Sequence, residues 1–115
     1  SSINNDIVIK MEALMDAYLK SDATQLGVPT VNFFAEKLNL SPNYLSDLLK
    51  NITGKNAQAH IQESLVERAK ELLSTTNLSI KEIAYDLGFE YPQSFSTMFK
   101  KNTQQTPLQF RASFN

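Results

Sequence analysis

One stretch of this 115-residue chain is written twice. "TVNFFAEKLNLSPNYLSDLLKNITG" begins at Thr30 and "SIKEIAYDLGFEYPQSFSTMFKKNTQ" begins at Ser79. At a shift of 49, Ala35 meets Ala84, Leu38 meets Leu87 and Leu40 meets Phe89. One extra residue in the second copy makes the shift 50, and Leu45 then meets Phe95, Ser46 meets Ser96, Leu49 meets Phe99, Lys50 meets Lys100 and Thr53 meets Thr103. A duplicated pattern of this kind marks a repeated supersecondary unit, so the fold must accommodate the same local structure twice.

The unit is helical. Apolar residues recur at helical spacing and no segment alternates as a strand does. Thr30 caps a helix with the stripe Val31, Phe34, Ala35 and Leu38, and Ser41-Pro42 opens another carrying Leu45, Leu48, Leu49 and Ile52 up to Gly54. In the second copy Ser79 and Glu82 form a capping box before Ile80, Ile83, Ala84 and Leu87, and Tyr91-Pro92 opens a helix with Phe95, Met98 and Phe99. A short helix, a tight turn and a second helix opened by proline is the helix-turn-helix layout. Ala35 and Ala84 are small enough for a close helix crossing. Asn39 and Gly88 tolerate a positive φ in the turn, and Leu40 and Phe89 plug back into the core.

Around the two copies the reading is a first helix over roughly 5–20 with Val8, Met11, Met15, Tyr18 and Leu19 inward, then a loop to Pro29. A long helix over about 56–74 joins the copies, and Thr106-Pro107 with Gln109 opens a short last helix. The expected fold is all-α, about seven helices in two helix-turn-helix subdomains joined by the long linker. The expected segments are 1–29, the N-terminal segment and first helix; 30–54, the first helix-turn-helix; 55–78, the linker; and 79–115, the second helix-turn-helix with the C-terminal helix. A 19-residue strut spans about 28 Å, close to the roughly 34 Å of one duplex turn. One chain can therefore carry two groove-reading helices, the second of each pair.

Composition narrows the function. There is no cysteine, so thiolate chemistry and disulfides are excluded, and one histidine cannot build a metal site. No phosphate loop, metal motif or Ser–His–Asp spacing supports an enzyme, and no catalytic, metal or cofactor site is expected. The lack of cysteine fits a reducing cytoplasm, no apolar run approaches a membrane span and no signal-peptide pattern opens the chain; a cytoplasmic domain with no membrane contact is expected. The chain starts at Ser1 and reads as a piece of something longer. The formal net charge of −1 is unlike the basic surplus of most DNA binders, although residues 79–115 hold four basic and three acidic residues, a local +1.

The second copy, with "IAYDLGF", Phe95, "FKK" at 99–101, "TP" at 106–107 and Phe110-Arg111, closely resembles the signature of the AraC/XylS family of bacterial regulators, and "SPNYLSDLLKNITGK" resembles the family's first reader helix. The resemblance covers about residues 30–112. It implies a transcription regulator, an activator in the family's manner, whose two reader helices enter adjacent major grooves of double-stranded DNA. It also implies RNA polymerase as a partner at the promoter, and dimerisation through a part of the parent chain not present here. Carried over position by position, base readout falls to Asn43, Ser46 and Asp47 in the first reader and to Pro92, Gln93, Ser96 and Thr97 in the second. Phosphate contact falls to Lys50, Lys100 and Lys101. Four residues depart from the family pattern. Asp47 stands where many members place arginine or another neutral or basic contact, Thr97 replaces a frequent arginine, Leu65 replaces an arginine common in the linker helix, and Gln104 replaces a usual glycine.

Each assignment has a plainer counterpart. The lysines sit at helix C-termini, which favour cations anyway. Gln93 can cap its helix, and Asp47 can pair with Lys50. Phe33, Tyr44 and Tyr91 are expected to pack in the core or on the surface rather than to stack on bases, and His60 to be partly buried at the start of the linker. The competing function is a helical protein-interaction module that keeps the fold without strong DNA binding.

Overall fold

The computed structural model describes residues 2–114, with side chains from residue 5 onward; the expected segment ends at Ser1 and Asn115 lie outside the described residues. Among the described residues the regular structure is seven α-helices and one 3₁₀ turn: α1 (Ser2–Leu19), the 3₁₀ turn (Asp22–Leu26), α2 (Val31–Lys37), α3 (Pro42–Thr53), α4 (Ala57–Thr75), α5 (Ile80–Asp86), α6 (Pro92–Thr103) and α7 (Pro107–Ala112). The all-α reading and the long linker helix therefore hold.

The helices start where side-chain oxygens can take up orphan N–H groups. Thr30 accepts from the Phe33 amide and Ser41 from the Tyr44 amide, each at 3.1 Å. Both expected capping boxes close, Ser79 with Glu82 before α5 and Thr106 with Gln109 before α7. Such a cap contributes about 1 kcal/mol. Pro42, Pro92 and Pro107 occupy first-turn positions, where a missing N–H costs nothing.

The chain divides into two compact units. The first comprises residues 1–21 and 29–64. Its core is Met11, Met15 and Leu19 of α1, Phe34 and Ala35 of α2, Leu45 and Leu49 of α3, and Ala57 and Ile61 at the start of α4. Tyr18 meets Phe33 edge-on at 5.1 Å and Phe33 meets Phe34 at 5.3 Å. Burial around Tyr18 holds its hydroxyl above the usual tyrosine pKa.

The second unit comprises residues 22–28 and 65–115. Its core joins Ala69 and Leu73 of α4, Ile83, Ala84 and Leu87 around α5, and Phe95 and Phe99 of α6. Phe89, Phe95, Phe99 and Phe110 form a chain of tilted and edge-on rings at centroid spacings of 5.7, 5.9 and 5.6 Å. Burying one such phenyl ring contributes roughly 1.5–3 kcal/mol. The segment read from sequence as a featureless loop contains the 3₁₀ turn, which packs against α5. Its apolar content is too short and irregular to show as a period.

Inside each unit the repeat is reproduced in backbone geometry. The turn residues Asn39 and Gly88 have φ of +58° and +100°. The amide of Leu40 donates to the Ala35 carbonyl at 2.9 Å, and that of Phe89 to the Ala84 carbonyl at 3.0 Å. Thr53 and Thr103 each donate their hydroxyl back into the helix, to Leu49 and Phe99, while accepting the amide of Lys55 and Gln105 respectively. The correspondence runs past the aligned sequence. Asn56 caps α4 as Thr106 caps α7, and Ala57 and Pro107, next in line, are both buried.

Candidate nucleic-acid interface

The outward faces of α3 and α6 are what remains once each apolar stripe is buried. On α3, Leu45 and Leu49 are inside, while Asn43, Asp47 and Lys50 are exposed. On α6, Phe95 and Phe99 are inside, while Gln93, Thr97, Lys100 and Lys101 are exposed. Among the described residues neither Asp47 nor any of these three lysines is in an ion pair, so the Asp47–Lys50 pairing does not form. The ion pairs present are elsewhere: Asp16–Lys20, Glu63–Lys55, Glu71–Arg68 and Glu67–Lys70.

The remaining expected site residues are half-buried. Ser46 turns its hydroxyl toward the start of α4 and accepts the Ala57 amide at 3.3 Å. Ser96 holds the equivalent place on α6, but its partner position is Pro107, which has no N–H to give. Pro92 shapes the first turn of α6. Gln93 does not cap its helix; its amide points along the surface to the Thr97 hydroxyl, 3.4 Å away, and the cap residue Tyr91 makes no side-chain capping bond.

In the second unit an open groove is lined by Gln93, Ser96, Thr97, Lys100, Lys101, Gln104 and Thr106. It brings together every α6 residue expected at the interface except Pro92. Sequence reasoning missed Gln104 and Thr106 as part of it, because the first was weighed only as a lost glycine and the second only as a cap. Gln104 has φ of +66°, the left-handed conformation that Gly54 adopts at +83° in the first unit. Phe33 packs against Tyr18 and Phe34, and Tyr44 and Tyr91 lie at the surface, 54% and 63% exposed.

Arg111 had counted toward the basic bias of the C-terminal region. Instead its guanidinium turns inward and donates to the carbonyls of Leu73 at 3.0 Å, Leu78 at 2.6 Å and Thr76 at 3.3 Å. Planar Arg suits such a fork. The charge offered outward is therefore less than the sequence count implied. His60 is half-buried, with Nε2 2.8 Å from the Thr53 hydroxyl. No group of three His, Cys, Asp or Glu residues suited to a metal occurs among the described residues, and no helix there is long and apolar enough to cross a membrane.

Comparison with known proteins gives the same outline. The sequence model of a helix-turn-helix domain matches residues 34–113. The C-terminal domain of the two-component response regulator yesN from Fusobacterium nucleatum is 38% identical, with a TM-score of 0.72 over 87% of this chain and 96% of that one. The C-terminal domain of AraT, a response regulator from Geobacillus stearothermophilus, is 33% identical, with a TM-score of 0.77 over 93% and 84%. The Bacillus subtilis transcriptional regulatory protein YesN is 34% identical over 104 residues, 86% of this chain and 28% of that protein. The chain spans about half or less of the length of several other curated relatives.

Proposed function

The chain belongs to the AraC-type helix-turn-helix family of transcription regulators, as a DNA-binding domain, and we propose that it does its work by presenting α3 and α6 to major grooves of double-stranded DNA. The observation that carries this reading is the pair of outward polar faces, each built on the same buried frame and each left without ion pairs of its own. Asn43, Asp47, Gln93 and Thr97 reach base edges, with Ser46, Pro92 and Ser96 at the margin of contact. Lys50, Lys100 and Lys101 meet phosphates, which set register and most of the affinity.

The parent protein acts in the cytoplasm, where another part of it senses a signal and dimerises, and it contacts RNA polymerase when it activates a promoter. The domain itself catalyses nothing. Selection of bound duplexes from a random pool tests the reading: enrichment of a motif spanning about two helical turns supports it. Binding with no enriched motif at any salt concentration would leave the protein-interaction alternative, which the net charge of −1 favours. Lys100→Ala weakens all sequences alike, whereas Gln93→Ala relaxes preference at one position.

A further inference from the structure

Because the two units are built alike, their differences at equivalent positions are informative. Lys101 on α6 corresponds to Asn51 on α3, and Thr97 to Asp47. Formal charge along α3 is zero, from Asp47 and Lys50, and along α6 it is +2, from Lys100 and Lys101. The Ser46 hydroxyl is committed to the Ala57 amide, while Ser96, whose equivalent partner position is Pro107, has no hydrogen-bond partner among the described residues and lines the open groove. At each of these three positions the second unit is the better equipped to hold phosphate.

Asp47 is the odd member of the set. An exposed carboxylate on a groove-facing helix repels the DNA backbone, and Asp47 is in no ion pair among the described residues. Its chemistry suits one kind of base edge: a carboxylate only accepts hydrogen bonds, and in the major groove cytosine N4 is a donor with no adjacent acceptor on its own ring edge.

We propose that the two units divide the work unequally, with α6 supplying most of the phosphate grip and α3, through Asp47, selecting a cytosine within its half of the site. The inference rests on the assignment of α3 and α6 as readers. Removing Asp47 then has two opposite effects. Discrimination falls, because the acceptor for N4 is gone. General affinity rises, because a backbone-repelling charge is gone.

The experiment is selection from a random duplex pool with this chain and with its Asp47→Ala and Asp47→Asn variants, followed by affinity measurements at several salt concentrations. The wild-type motif should contain one strongly preferred C·G pair. In Asp47→Ala that preference should fall on the order of tenfold, and in Asp47→Asn, whose amide donates as well as accepts, it should spread to other bases, with the rest of the motif kept and random duplex bound more tightly than by wild type in both. The double variant Lys100→Ala, Lys101→Ala should lower the salt slope by about two, and Lys50→Ala by about one. These positions are exposed, and unchanged thermal melts exclude misfolding. Persistence of the same C·G preference in both Asp47 variants overturns the proposal, as does a double variant whose salt slope changes no more than that of Lys50→Ala. A wild-type chain that enriches no motif at all sinks the reader assignment itself, which is a different result.

Discussion

A methyl group on Gly88 would come within 2.4 Å of the carbonyl oxygen of Gly27. The tight turn of the second helix-turn-helix and the end of the 3₁₀ segment thus meet backbone to backbone, and Gly88 is held at a φ of +100° as well. Both constraints exclude a Cβ.

Gly88→Ala is therefore expected to destabilise the fold by about 2–4 kcal/mol, because the clash is with main chain that has little room to yield. Gly54→Ala, which meets only open space at its φ of +83°, is expected to cost about 1 kcal/mol. Denaturant unfolding of the two variants side by side checks the difference; equal losses would show that the close approach contributes nothing.

Gln104 holds a left-handed conformation that in the first unit is held by glycine. Gln104→Gly should stabilise the protein by roughly 0.5–1 kcal/mol by relieving that strain at the end of α6. A lowered melting temperature would contradict this.

Arg111 binds three carbonyls at and beyond the end of α4. Arg111→Ala is expected to cost about 2–3 kcal/mol, since charged donors to partly buried carbonyls are lost together. Arg111→Lys should recover little of it, because a single ammonium cannot reproduce the planar fork. Full recovery by lysine in a chemical melt would count against the geometry.

Glu82 accepts the Ser79 amide and contacts its hydroxyl, and these bonds hold its carboxyl below the usual glutamate pKa. A depressed folded pKa means stabilisation that is present above the unfolded value, about 4.3. It is lost as pH falls through the folded one. Glu82→Gln should keep the cap yet flatten stability against pH below about pH 5. The Thr106–Gln109 box, whose acceptor is an amide, already lacks this dependence. Identical acid-unfolding curves for wild type and Glu82→Gln would rule the effect out.

Ser46→Ala and Ser96→Ala should part company. The first strips a partner from the Ala57 amide at a buried position and is expected to cost about 1 kcal/mol. The second removes a hydroxyl with no hydrogen-bond partner among the described residues and should leave melting unchanged.

Much of this was legible in the sequence because it is local. Caps, turn residues with positive φ and the inward stripes follow from a few neighbouring residues, and the duplication let each copy check the other. The docking of residues 22–28 on the second unit was not legible, because it depends on a backbone contact between Gly27 and Gly88 that has no compositional mark. The inward turn of Arg111 was hidden for a related reason, since its three acceptors are main-chain carbonyls 33 to 38 residues away. Ser46 and Ser96 looked identical in the alignment and differ only through the residues opposite them, an amide donor in one case and proline in the other.

The matched helix-turn-helix span opens at residue 34, yet Met11, Met15, Tyr18 and Leu19 of α1 are all buried in the first unit, and α1 packs on α3 itself. The core of the first unit thus reaches beyond the span that carries the recognisable signature. Trimming to the signature would unroof Phe34 and release one wall of α3, the helix proposed to read DNA.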